Sequence, residues 1–156
     1  MSWADRLLRF AGRDTNRELV DHLRAIHQSS AVLGERLAAC AGQAPNQNAE
    51  HDLALLVTAA RALTESVAVA LQQRGAPQPS APGAVLNGAA RNHWARLVSA
   101  LDACREGRGH VLRHTPRLLE LDPSLVDVLR QVSGGFDEQL DGLRALIARA
   151  DPQAIN

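Results

Sequence analysis

Four stretches of the chain repeat their apolar residues at a helical spacing. In the first, Leu19, Leu23, Ile26, Ser30, Leu33 and Leu37 fall on one face at about 100° per residue. Thr15-Asn16-Arg17-Glu18 has the form of a capping box and predicts the start of this helix, while Gly42 and Pro45 stop it. The second stretch begins near Asn48 and carries Leu53, Leu56, Val57, Ala60, Leu63, Val67 and Leu71, with Gly75 as a C′ residue. Three prolines between Ala76 and Gly83 then predict an extended linker. The third runs from about Ala84, with Trp94, Leu97, Val98, Leu101 and Cys104 in line; Gly107 and Gly109 weaken it, and Thr115-Pro116 ends it or caps a short separate turn. Asp122-Pro123 starts the fourth, as N-cap and N1. Leu125, Val128, Leu129, Val132, Phe136, Leu140, Leu143 and Ile147 hold their phase through Gly134-Gly135, which predicts one helix with a weak spot.

Helices near 15–41, 48–74, 84–113 and 122–150 describe an all-α, antiparallel four-helix bundle over residues 15–150. Residues 151–156 are a tail. Residues 1–14 read as a separate short amphipathic helix bearing Trp3, Leu7, Leu8 and Phe10. It would fold onto the end of the bundle, or grip a partner or a membrane surface.

Composition narrows the function classes. The 156 residues hold seventeen basic and seventeen acidic side chains, every basic one an arginine, and such neutrality argues against a general nucleic-acid binder. Two cysteines, Cys40 and Cys104, are too few for a disulfide framework and read as buried reduced thiols. Charges interrupt the N-terminal apolar residues, so no signal peptide is expected, and no window reads as the ~20 apolar residues that span a bilayer. A cytoplasmic location without a transmembrane segment is the expectation.

Candidate chemistry is sparse. A bundle of this size invites a di-iron site, but no Glu-x-x-His pair occurs. Glu18/His22 and Glu106/His110 are spaced i, i+4, with Glu18 and His22 on the flank of their stripe. His110 and His114 make a His-x-x-x-His pair that could chelate one metal ion, although it reads as a solvated pair opposite the third helix's stripe. His93 reads as a boundary histidine bonded to a neighbour, and His27 and His51 as surface residues. Nothing matches a phosphate loop, a nucleophile elbow or a haem site, so no catalytic residue and no cofactor are assigned. The most informative oddity is the outer face of the second helix. Leu55, Ala59, Ala62, Ser66 and Val69 lie opposite the core stripe, where charges are expected, and predict a homodimer contact.

The order of elements carries a resemblance. Arg74-Gly75, a Gly/Pro linker, His93-Trp94, then Cys104-Arg105-Glu106-Gly107 and Leu118-Leu119-Glu120-Leu121-Asp122-Pro123 resemble bacterial ferritin-like bundle proteins of unknown function, over residues 15–150. The resemblance implies a ferritin-like fold and a role in stress physiology. Arg108 stands where that family is expected to carry a glutamate, so metal oxidation is not implied. Three functions follow as expectations: a non-catalytic bundle acting through protein contacts, a ferritin-like metal-binding protein or oxidase using His and carboxylate ligands, and an amphipathic protein of granule or lipid surfaces.

Overall fold

The computed structural model describes residues 2–77, 79 and 92–153. They form four helices, α1 (Trp3–Gly42), α2 (Gln47–Gln72), α3 (His93–Leu121) and α4 (Val126–Arg149), with a 3₁₀ turn at Pro123–Leu125 and no strand among the described residues. The chain is all-α and builds a four-helix bundle. Each helix packs on two neighbours: α1 on α2 and α3, and α4 on α2 and α3.

Paired residues give the directions. Along α1 and α3, Ser29 meets His110, Arg36 meets Ser99 and Cys40 meets the Arg96 carbonyl, so numbers rise on one helix as they fall on the other. Asp52 with Arg149, Leu56 with Gln139 and Ser66 with Gln131 set α2 against α4 in the same opposed sense. Asn16 reaches the Arg74 carbonyl, which brings the lower part of α1 to the end of α2. α2 and α3 therefore run in the same direction, and the end of α2 and the start of α3 lie at opposite ends of the bundle.

Two predicted boundaries move. The first helix does not begin at Thr15. Ser2 and Asp5 form the capping box, with the Asp5 amide donating to Ser2 Oγ at 3.2 Å and the Ser2 amide to Asp5 Oδ2 at 3.1 Å. Thr15 lies in mid-helix and donates its hydroxyl back to the Ala11 carbonyl. Residues 1–14 are thus not a separate segment: from Trp3 onward they continue α1, whose 40 residues extend about 60 Å. The third helix does not end at Thr115-Pro116 either, but runs on to Leu121 with Pro116 inside it. Pro116 lacks the amide that would bond the Leu112 carbonyl; both residues are exposed, so water can take the bond. The predicted part of this helix before Asn92 lies outside the described residues.

Other signals hold. Asp122 caps the 3₁₀ turn that leads into α4 by accepting from Ser124, while Asn46 and Asn92, which the sequence pattern did not single out, cap α2 and α3 by accepting from Ala49 and Ala95. Gly75 has φ +70° after α2, where Ala76 N–H donates to Leu71 O and Gly75 N–H to Gln72 O, a Schellman closure. α4 passes unbroken through Gly134-Gly135. α2 corrects one reading: it is long and apolar enough to cross a membrane by length and composition. Its apolar character has two sources, a buried stripe from Leu53 to Leu71 packed in the bundle and an alanine-rich outer face.

The core is aliphatic, with Leu23, Ile26, Leu33, Leu37, Leu53, Leu71, Leu97, Leu118 and Leu143 closed around Phe136. Cys40 and Cys104 are free and buried in it. Burial pushes their thiols up to about 11 and about 12 respectively, which keeps them protonated and unreactive.

Candidate functional site

The densest polar constellation lies where α1 faces α3. At its lower end Arg117 clasps Glu18 with two hydrogen bonds, Nε to Oε1 at 2.6 Å and Nη2 to Oε2 at 3.0 Å, and gives a third to Glu120. The guanidinium bond holds the Glu18 carboxyl below the usual range. One turn on, His22 and His114 place their Nδ1 atoms 2.7 Å apart, with the rings edge to face. The other nitrogen of His22 lies 3.7 Å from Glu18. Two turns further Ser29 Oγ is 3.1 Å from His110 Nδ1, and Arg36 Nη1 donates to Ser99 Oγ at 2.8 Å. Between these last two pairs is a groove of about 330 Å³, its walls made by Ala25, Gln28, Val32, Ala103, Glu106 and Gly107.

The chemistry available here is limited. His22 and His114 share one proton, because a hydrogen bond between two imidazole nitrogens needs one donor and one acceptor. Burial, followed by the charges of His22, His110 and Arg113, lowers the His114 pKa and favours its neutral form. The 2.7 Å separation suits a shared proton. Two nitrogens on one tetrahedral metal, each at ~2.0–2.1 Å, would stand roughly 3.3 Å apart. Among the described residues no three His, Cys, Asp or Glu converge closely enough to hold a metal ion. Ser29 is not an activated nucleophile: its hydroxyl donates to the Ala25 carbonyl at 3.2 Å, and helical backbone amides are already spent and cannot form an oxyanion hole.

The predicted residues fall as follows. His110 and His114 are not a solvated pair opposite the stripe. Both are half-buried against α1, because the buried face of α3 runs through Leu97, Ala100, Cys104, Gly107 and Val111, with Trp94 only at its edge. His27 is also not a surface residue; it is buried in α1, which lowers its pKa despite the opposing charge of Glu65. His51 is exposed. His93 is buried, with no partner at Nδ1, and lines a cavity of about 420 Å³ at the α1–α2 turn beside Asn46, Asp52 and Arg149. Leu55 and Val69 on α2 are 59% and 41% exposed, and Ala59 and Ala62 lie open between them. Ser66 differs: it is half-buried, bonds the Ala62 carbonyl and accepts from Gln131 of α4, which places it at the edge of that face.

Sequence reading missed Ser29 and Arg36 and did not join His22 to His114. The available signal was the pair of i, i+4 spacings, Glu18/His22 and His110/His114, on helices now known to be neighbours. No family model matches this sequence, and no curated protein or solved structure was found to match it.

Proposed function

We propose that this chain is a non-catalytic helical bundle that acts by contact, forming a homodimer through the outer face of α2. The observation that carries the reading is the exposure of Leu55 and Val69, four turns apart on one face, with Ala59 and Ala62 between them. Alanine alone needs no partner, since it is simply a good helix former. An exposed leucine and valine in line with it form an apolar strip about 20 Å long. Burying ~400 Å² there yields about 10 kcal/mol gross at ~25 cal/mol per Å², comparable with the cost of association, so the dimer is concentration-dependent.

The bundle's layout supports a ferritin-like assignment. Two antiparallel pairs joined by one long connection between helices of the same direction is the connectivity of ferritin-like folds. The missing Glu-x-x-His pairs, and the use of Glu18 by Arg117, favour a contact role over metal oxidation. Sedimentation tests the dimer. The wild type should be dimeric at tens of micromolar, and Leu55→Glu with Val69→Glu should give a monomer of unchanged helicity. A wild type that stays monomeric at that concentration refutes the reading.

A further inference from the structure

We propose that the first fifteen residues of α1, Trp3 to Arg17, are a binding arm for an anionic lipid surface. Residues 2–17 are all exposed, and the first buried residue of α1 is Leu19. The first hydrogen bonds from α1 to the ends of α2 and α3 are made by Asn16 and Glu18, and the arm runs about 20 Å past them. It nevertheless carries Trp3, Leu7, Leu8 and Phe10, which are 79%, 49%, 71% and 67% exposed.

The arm's phase shows that this is not an unused length of bundle core. At about 100° per residue, Trp3, Leu7 and Phe10 lie roughly 150° from the face of Leu19, Leu23, Ile26 and Leu37. They point away from the bundle, and only Leu8 keeps the core phase. A flat surface can therefore meet these side chains with the rest of the bundle on the far side of α1.

Charge selects the partner. Arg6, Arg9, Arg13 and Arg17 fall within an arc of about 80° beside the aromatic face, against only Asp5 and Asp14 in the same stretch. Trp, Leu and Phe on one face with a row of arginines next to it is the pattern of a helix lying in the interface of an anionic bilayer. A second copy brings the same arginine row, so like charge opposes arm-to-arm pairing.

Co-sedimentation of the full chain with phosphatidylcholine vesicles, with and without phosphatidylglycerol, tests the arm. Partition onto the anionic vesicles should be at least about tenfold stronger and should weaken as salt is added. In a Trp94→Phe background the emission of Trp3 should shift to the blue on binding. Leu7→Glu with Phe10→Glu should abolish binding, and Arg9→Glu with Arg13→Glu should weaken it about tenfold or more, with helicity kept because all four side chains are exposed. Leu55→Glu with Val69→Glu should still bind, which separates this arm from the α2 contact. The proposal is overturned by equal partition onto neutral vesicles, by arm variants that bind like the wild type, or by self-association without lipid that the Leu7/Phe10 change abolishes.

Discussion

Gly134 and Gly135 are neighbours in α4, and alanine should stabilise the fold at Gly134 but not at Gly135. Both sites gain the same intrinsic preference, since alanine is favoured over glycine inside a helix by up to about 1 kcal/mol. At Gly134 an added Cβ meets nothing within 4 Å, so the gain is realised in full. At Gly135 the same Cβ runs into the head of Leu63, meeting Cδ1, Cδ2 at 2.5 Å and Cγ at 2.9 Å. Leu63 is buried in α2 and cannot swing into solvent. Overpacking of this kind costs about 1–3 kcal/mol, which cancels or exceeds the gain. The two variants should differ by at least about 1 kcal/mol, or roughly 2–4 °C in midpoint for a chain of this size.

Urea unfolding followed by helical ellipticity reads both values. A double-mutant cycle supplies the control. Leu63→Ala alone should cost about 2–5 kcal/mol, and in that background Gly135→Ala should become favourable because its obstacle is gone. If Gly135→Ala is as stable as Gly134→Ala in the wild-type background, α2 and α4 do not approach here as closely as the structure places them, and the reasoning fails.

Acid should destabilise the bundle well above the carboxylate range. Burial is the first cause lowering the pKa values of His27, His93 and His114 in the fold, so the unfolded chain binds more protons, and stability present above the ordinary histidine value of about 6.5 is lost as pH falls below it. Unfolding free energy should fall between pH 7.5 and 5.5, most steeply below about 6.5 and by no more than about 1.4 kcal/mol per pH unit for each such histidine, and a flat profile would show that these groups titrate alike in both states. Cys40 and Cys104 should resist a thiol reagent at pH 8 in the native protein and react on unfolding; rapid native labelling of either would contradict their burial.

Helix number and core stripes were legible because each stripe keeps one period over many turns. Starts and stops were legible only where the signal had no competitor. Asp122-Pro123 had none: read as the start of the fourth helix, it caps the 3₁₀ turn that leads into α4 at Val126. Thr15-x-x-Glu18 looked like a start, but Ser2-x-x-Asp5 offers the same chemistry thirteen residues earlier, and nothing between them breaks the helix. Pro116 looked like a stop because its cost inside a helix is local, whereas the packing of Leu118 that pulls the helix onward is tertiary. The glycines misled in the same way. Gly107 and Gly135 read as weak spots, yet each marks a close approach, Gly107 to the ring of Phe136 and Gly135 to Leu63. The α1–α3 seam was half legible. Both histidine spacings were visible, but pairing them required knowing which helices are neighbours, and the stripe read on α3 from Trp94 to Cys104 stops short of the buried Gly107 and Val111.

Both ends of the bundle are tied by polar groups, and this explains how an aliphatic core keeps one register. Leucine packing by itself is non-directional and tolerates repacking. Directional bonds do not. At one end Arg74 donates to its own Ala70 carbonyl and to Asp122 Oδ2 at 2.6 Å, while Asn16 donates to the Arg74 carbonyl. That cluster joins α1, α2 and the α3–α4 turn. At the other end the buried Arg96 donates to the Gln43 carbonyl where α1 finishes, and Asn92 reaches the Pro152 carbonyl beyond α4. Sliding α1 or α3 by one turn would break bonds at both ends and leave the buried Arg96 charge without its acceptor. The outer face of α2 and the N-terminal arm take no part in this lock. Both are apolar surfaces that the fold itself leaves unused.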